Sequence, residues 1–396
     1  MNTNAMKDRA HTWAVVLAAG EGSRLRTLTT TATGEAVPKQ FCSLRGGPSL
    51  LHEALSRARA VAPARQVCAV VAEQHRHWWR PALQQLEPGN IVVQPANRGT
   101  AHGIMLPLLH IAARDPDAIV ILLPADHHVL DENTLAQSLR RAATLARAGA
   151  GAVVLLGVEP DYADPELGYI LPKDGTTSEL TRVRRFVEKP APARARELLD
   201  QGALWNIFIV AATAHALLSL FRQEHADTLA RMQALIPDSA TQHGQRALAA
   251  LYEHLPSIDF SRAVLESHAA QLRVLPVPQC GWSDLGTPQR VAETLQRLPD
   301  SGTQRRPIRQ CDRRPIAGRL QPPTLSRAKE TGTGRGRPRP DRAYGRSSRK
   351  RRQSRNERAC RGRGLGRSHR SGANREPASL PQASELLLHR LEQRTP

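Results

Sequence analysis

What most constrains this chain is an alternation in which short β-branched runs recur between longer segments whose apolar residues follow the helical period. Residues 14–17, 67–71, 91–93, 119–123 and 153–156 are the strand candidates. Between them, residues 49–61, 100–113 and 131–148 carry helical patterns, the last opening on the acidic pair Asp131-Glu132 that suits a helix N-terminus. Strands apolar on both faces, each followed by a helix, predict a mostly parallel sheet with helices on its faces and right-handed crossovers.

After Gly157 the rhythm changes. Residues 161–175 are turn-rich, 182–187 form a strand candidate and Pro190 opens a helix. Helical patterns follow at 213–221, 228–235 and 245–254, then a strand at 272–277 and a helix at 288–298. A second lobe is therefore expected to fold against the first, giving one domain over 12–300 with halves 12–157 and 158–300. No internal repeat of solenoid length is present.

Charge marks the end of that domain. The formal charge is +20, yet residues 301–396 hold 26 of the 56 Lys and Arg and 7 of the 36 Asp and Glu, leaving 30 basic against 29 acidic residues in the first 300. A segment so rich in arginine cannot bury enough apolar surface to fold alone, and is expected to be a disordered tail. Its guanidinium groups could neutralise nucleic-acid phosphates, but Tyr344 is its one Phe, Tyr or Trp ring, so base stacking has little to work with. The competing reading is that it encodes no selected function, as a shifted reading frame would, and translation of the other frames after Ser301 separates the two.

Five cysteines stand far apart, at 42, 68, 280, 311 and 360, without the close pairs of a zinc site or disulfide framework. Residues 1–11 lack an apolar signal core, and no window reaches the ~18 to 20 apolar residues of a membrane span. A cytoplasmic protein without membrane contact is the expectation.

Chemistry gathers at a few positions. The first strand runs into Leu17-Ala18-Ala19-Gly20-Glu21-Gly22-Ser23-Arg24-Leu25, where Gly20 and Gly22 let backbone amides approach a polyphosphate. Arg24 follows the loop, placed for charge-assisted bonds to phosphate, whereas Arg26 reads as a solvated surface residue. Lysine is scarce: only Lys7, Lys39, Lys173 and Lys189 occur in the first 300 residues. Lys39 and Lys189 each adjoin a proline in an apolar setting, where a compact ammonium acts as a point charge on phosphate, although either alone could be a surface lysine. Asp126 and Asp284 end strand-like segments and could share a magnesium ion with phosphate oxygens. The plainer alternative is a pair of turn aspartates. His127 and His128 lack a further spaced ligand and read as structural.

Taken in order over residues 13–298, these motifs resemble those of bacterial sugar-phosphate nucleotidyltransferases, above all mannose-1-phosphate guanylyltransferases. Leu17 to Leu25 is similar to the family's nucleotide-binding signature, Pro38-Lys39-Gln40-Phe41 to its lysine motif, and Gln94-Pro95-Ala96-Asn97-Arg98-Gly99-Thr100-Ala101 to its base-binding segment. Pro124-Ala125-Asp126-His127 resembles a metal motif. Gly168-Tyr169-Ile170, residues 186–190, Trp205-Asn206, Ser257-Ile258-Asp259 and Trp282-Ser283-Asp284-Leu285-Gly286 resemble the sugar-phosphate and second metal motifs. The chain departs from the commoner pattern where Ile207-Phe208 follow Trp205-Asn206 directly, in place of Ser and Gly.

The resemblance implies an α/β fold of nucleotide-diphospho-sugar transferase type: a Rossmann-like, mostly parallel mixed sheet with a nucleotide-binding half and a sugar-phosphate-binding half. It implies Mg²⁺ dependence and transfer of a nucleoside monophosphate from a triphosphate to a sugar 1-phosphate, with GTP and mannose 1-phosphate the leading pair and glucose-1-phosphate uridylyl or thymidylyl transfer the alternative. A non-catalytic nucleotide sensor and a nucleic-acid-binding protein are the rivals of other classes. Arg24, Lys39, Asp126 and Asp284 take the catalytic roles, with both aspartates on the metal. Leu17, Ala19, Gly20, Gly22, Gln94, Asn97 and Thr100 take the nucleotide. Gly168, Glu188, Lys189 and Asn206 take the sugar phosphate. A homodimer is one assembly open to such a protein.

Overall fold

Strands form where the chain is apolar on both sides, and helices cover both faces of the sheet they make. The computed structural model describes residues 10–31, 34–44, 46–149, 151–173 and 179–298. The arginine-rich segment 301–396, and with it both readings of that segment, lies outside the described residues. The first half runs β1 (Thr12–Leu17), the short turn α1 (Arg26–Thr29), α2 (Leu50–Val61), β2 (Val67–Ala72), α3 (Arg76–Ala82), β3 (Ile91–Gln94), α4 (Gly99–Arg114), β4 (Ile119–Pro124), α5 (Glu132–Ala148) and β5 (Val153–Val158). The second runs β6 (Gly168–Pro172), β7 (Thr181–Glu188), α6 (Pro192–Asp200), β8 (Leu204–Thr213), α7 (Ala214–Leu235), α8 (Gln242–Glu253), β9 (Leu272–Val277) and α9 (Pro288–Arg297).

Several helix starts are set by side chains that satisfy otherwise orphaned amides. Asp131 accepts from the amides of Asn133 and Thr134 to start α5. Thr213, Thr241 and Thr287 do the same for α7, α8 and α9. The two helical patterns expected at 213–221 and 228–235 are one element, α7, broken at His225, whose φ and ψ are −137° and 42°.

The nine strands of the described residues join one sheet in the order β3-β2-β1-β4-β8-β5-β9-β7-β6, with β6 also pairing β8. The first four are parallel, as the sequence predicts, and β5 and β9 are parallel to each other. The antiparallel β8 joins the two sets, pairing β4 on one side and β5 on the other. Sequence analysis did not mark β6 or β8 as strands. All of β6 and most of β8 are buried, and β8 runs straight into α7, so periodicity alone does not separate its apolar run from a buried helix.

The core lies on both faces. Ala14 and Val16 of β1 join α2 and α5 on one side through Leu51, Leu55, Leu135 and Leu139. Trp13 and Val15 turn to α4 and α7, where Ile104, Leu108, Leu217 and Phe221 lie. That alternation follows from the two-residue period of a strand. No described helix is long and apolar enough to cross a membrane.

One polar clamp in this core positions the loop before β6. The fully buried Tyr169 hydroxyl accepts from the Asp164 amide at 2.7 Å and donates to the Asp164 carbonyl at 3.1 Å. Tyr169→Phe leaves the Asp164 amide unpartnered and its carbonyl with the Leu167 amide at 3.4 Å. It is expected to cost ~1–3 kcal/mol, seen as a lower urea midpoint at unchanged slope; wild-type stability in this variant would contradict the clamp.

Candidate active site

Parallel strands bring their carboxyl ends to one edge, and the sheet puts the candidate residues there. Leu17 of β1 lies beside Pro124 of β4, so the glycine loop after β1 and Asp126 after β4 leave the sheet as neighbours. β8 runs the other way, which brings Trp205 and Asn206, near its start, beside Val158 and Gly157 at the end of β5. The segment after β9 returns to the same edge, where Ser283 and His128 exchange backbone hydrogen bonds, each 2.9 Å long.

Lys39 is the centre of the arrangement. Its ammonium lies 2.8 Å from Asp126 Oδ2 and donates to the backbone carbonyl of Asp284 at 2.6 Å, with its side chain 9 % exposed. One cation thus reaches a residue 245 positions away in the chain. Gly22 packs against it in the left-handed conformation (φ 62°), and a Cβ there would stand 3.0 Å from Lys39 Cβ and from its amide nitrogen. Both the angle and the contact favour glycine. Gln40 holds the loop from beneath, donating to the carbonyls of Ala18 at 2.9 Å and Gly20 at 2.8 Å. Gly20 itself faces open space.

Around this ion pair the charges are arranged in sequence. Burial pushes the Asp126 carboxyl up, but the Lys39 ammonium outweighs it and holds the group below the usual aspartate value. Burial drives His127 down to about 4, against the pull of Asp126, so the ring is neutral near pH 7. Trp282 donates to His127 Nδ1 at 3.2 Å, and Nε2 lies 3.8 Å from Asp126 Oδ1. The Asp284 carboxylate accepts from the Gly286 amide at 3.0 Å and lies 3.1 Å from Arg290 Nε, an ion pair without hydrogen-bond alignment. Arg290 in turn donates to Asp164 at 2.9 Å, so the Tyr169 clamp supports Asp284 from behind.

A second cluster adjoins the first, with Trp205, Asp284 and Arg290 lining one narrow crevice. Gly168 pairs with Glu188 across β6 and β7. A Cβ on Gly168 would lie 2.5 Å from Glu188 Oε2 and 3.5 Å from Asn206 Nδ2, so only glycine leaves this acceptor and donor side by side. Burial raises the Glu188 carboxyl to about 7, helped by Asp259 and opposed by Lys189 and Arg262. Lys189 is exposed and its backbone is left-handed, at φ 49°.

The remaining candidates are placed differently. Arg24 is about half exposed and pairs with Glu166 at 2.9 Å, while Arg26 lies on the surface as expected. Leu17 and Ala19 are partly buried at the root of the loop. Gln94 is buried, its amide oxygen 3.4 Å from the Tyr252 hydroxyl. Asn97 accepts from the Gly99 amide at 3.0 Å, and the Thr100 hydroxyl accepts from the Phe260 amide at 2.8 Å. Gly99 takes φ 83° against the backbone of Ile258, which a Cβ would strike. Sequence reasoning did not single out Gln40, Asp164, Arg290 or Gly286 as site residues. Gln40 lies inside the lysine motif and could have been found there, whereas Arg290 at the start of α9 carries no local signal.

The profile of the Nucleotidyl transferase family matches residues 13–301. The chain belongs to that family. Among curated proteins it is 32 % identical over 288 residues to the xanthan biosynthesis protein XanB of Xanthomonas campestris pv. campestris, covering 69 % of this chain and 57 % of that protein. It is also 32 % identical over 287 residues to a mannose-1-phosphate guanylyltransferase of Escherichia coli K12, with the same shares. The chain therefore spans 57 % of the length of these relatives. Among solved structures, a mannose-1-phosphate geranyltransferase from Thermus thermophilus matches with TM-score 0.63 and 26 % identity, over 73 % of this chain and 80 % of that one.

The partly buried Glu188 carboxyl of this nucleotidyl transferase-family chain makes stability depend on pH. Because the folded value of Glu188 is raised from 4.5 to about 7, the stability it contributes is complete below pH 4.5 and is lost as pH rises through 7. Wild type should therefore lose stability relative to Glu188→Gln across that window. Asp259→Asn should move the midpoint down, and a Glu188 carboxyl found by NMR to titrate near 4.5 would contradict this environment.

Proposed function

We propose that the chain transfers a guanylyl group from GTP to mannose 1-phosphate, forming GDP-mannose and pyrophosphate. The observation that carries this reading is the contact of one buried ammonium, Lys39, with both Asp126 and Asp284 directly behind the Gly22 turn. A positively charged group beside a backbone loop open at Gly20 suits a triphosphate, and the Glu188–Asn206 pair suits sugar hydroxyls. The name of the Escherichia coli relative supplies guanine and mannose.

In this reading a phosphate oxygen of the sugar 1-phosphate attacks the α-phosphorus of GTP. The new P–O bond forms as the bond from the α-phosphorus to the bridging oxygen breaks, and pyrophosphate leaves with the electron pair. The nucleophile is already anionic, so no side chain has to remove a proton. The work of the protein is positioning and charge neutralisation. Arg24 and Lys39 meet the triphosphate, Gly20 and Gly22 admit it, and Leu17, Ala19, Gln94, Asn97 and Thr100 shape the base and ribose site. Gly168, Glu188, Lys189 and Asn206 take the sugar phosphate.

Asp126 and Asp284 would hold a magnesium ion. Magnesium takes hard oxygen donors and commonly needs only one or two carboxylates, completed by phosphates and water. Two carboxylates beside a phosphate site fit that chemistry, even though no group of three His, Cys, Asp or Glu among the described residues could hold a metal. When bound, the ion supplies neutralisation of phosphate charge. A nucleoside triphosphate substrate suits the cytoplasm, which agrees with free, buried Cys68 and Cys280.

Purified protein with Mg²⁺, GTP and mannose 1-phosphate should release pyrophosphate faster than with ATP, UTP or dTTP, or with glucose 1-phosphate. Preference for UTP or dTTP with glucose 1-phosphate would replace the guanylyl assignment, and no turnover with any pair would overturn the reading. Lys39→Ala, if folded by its melting curve, should lose ~10² to 10³ in kcat/KM, about 3 to 4 kcal/mol.

A further inference from the structure

The departure from the commoner motif at Ile207-Phe208 falls where β8 leaves regular pairing. Gly157 of β5 faces Asn206, yet Leu155 faces Val210, so β8 carries extra residues between these two points. A bulge of this kind re-aims side chains. Phe208 sits inside it with φ 55°, a backbone region that favours glycine. A residue with a side chain persists in that conformation only where its contacts hold it.

Two contacts do. The Phe208 ring meets the fully buried Phe260 edge-on, with centroids 6.3 Å apart, and Phe260 packs on Phe221 at 5.5 Å. The Phe208 amide donates to Asn206 Oδ1 at 3.1 Å. An N–H can face only an acceptor, so this bond fixes which end of the Asn206 amide is oxygen. Its NH₂ end then points toward Gly168, beside the Glu188 carboxyl. The Phe260 amide is itself bonded to Thr100, and Ile258 accepts from Ala101 and donates to Arg98.

We propose that Phe208 is a positioning residue for the sugar phosphate: held left-handed by its ring on Phe260, it locks the Asn206 amide with its donors toward the substrate. Resting on the nucleotidyltransferase reading for its substrate, this inference gives the site a fixed donor beside a fixed acceptor, suited to neighbouring sugar oxygens. It also makes the 258–260 segment the common support of the Asn206 side and of the segment 98–101.

Phe208→Gly separates the ring from the backbone, because glycine adopts a φ of 55° freely while losing the Phe260 contact. Steady-state kinetics of the full chain should show KM for mannose 1-phosphate up about fivefold to tenfold, the loss of one oriented hydrogen bond. KM for GTP and kcat should stay near wild type, and Phe208→Tyr, which keeps the ring, should restore the sugar-phosphate KM. An unchanged sugar-phosphate KM in Phe208→Gly, or equal rises for both substrates, overturns the proposal. If wild type turns over no substrate pair, the functional reading fails separately. Calorimetric affinity for mannose 1-phosphate then decides the matter: weaker binding by Phe208→Gly supports the lock, and equal binding, or none by wild type, rejects it.

Discussion

A single buried ammonium organises the molecule's working edge. Lys39 reaches the Asp126 carboxylate and the Asp284 carbonyl at once, and so joins the turn after β1, the end of β4 and the segment that follows β9. Burying a lysine is costly unless its charge is matched, and removing one partner of such a pair leaves the other uncompensated. The three segments therefore depend on one another electrostatically as well as through the backbone bridge of His128 and Ser283.

Local strain is concentrated at the same edge. Among the described residues, Lys189, Phe208 and Leu285 are the non-glycine positions with positive φ. Each directly follows, or lies two residues after, a candidate site residue: Glu188, Asn206 and Asp284. Such conformations cost ~1–3 kcal/mol apiece and persist only where surroundings over-determine them. Here the surroundings are identifiable: the Leu167 carbonyl bonded to the Lys189 amide, the Phe260 ring, and Ser283, which accepts from the Leu285 amide.

Support for the edge comes from deeper residues that carry no chemistry themselves. Tyr169 holds Asp164, Asp164 holds Arg290, and Arg290 faces Asp284. Gln40 holds the glycine loop by two carbonyls. Rigid placement of this kind is what a reaction governed by positioning and charge needs, because small displacements of reacting groups are costly in rate.

The sequence alone determined the order of the five strands in the first half and the helices α2, α4 and α5 among them, since those runs signal themselves locally, whereas α1 and α3, short and without a side-chain cap, left no such signal. It also marked Gly22, Lys39, Asp126 and Asp284, because glycine and rare lysines at strand ends stand out by type. Only the tertiary structure decided that β8 is a strand, that it runs against β4, and that Asn206 meets Gly168 and Glu188. The reason is physical: an apolar run that passes directly into a helix, as β8 does, carries no period that marks it as a strand. Partners remote in the chain, such as Arg290 and Asp164 at a separation of 126, leave no periodic trace in it.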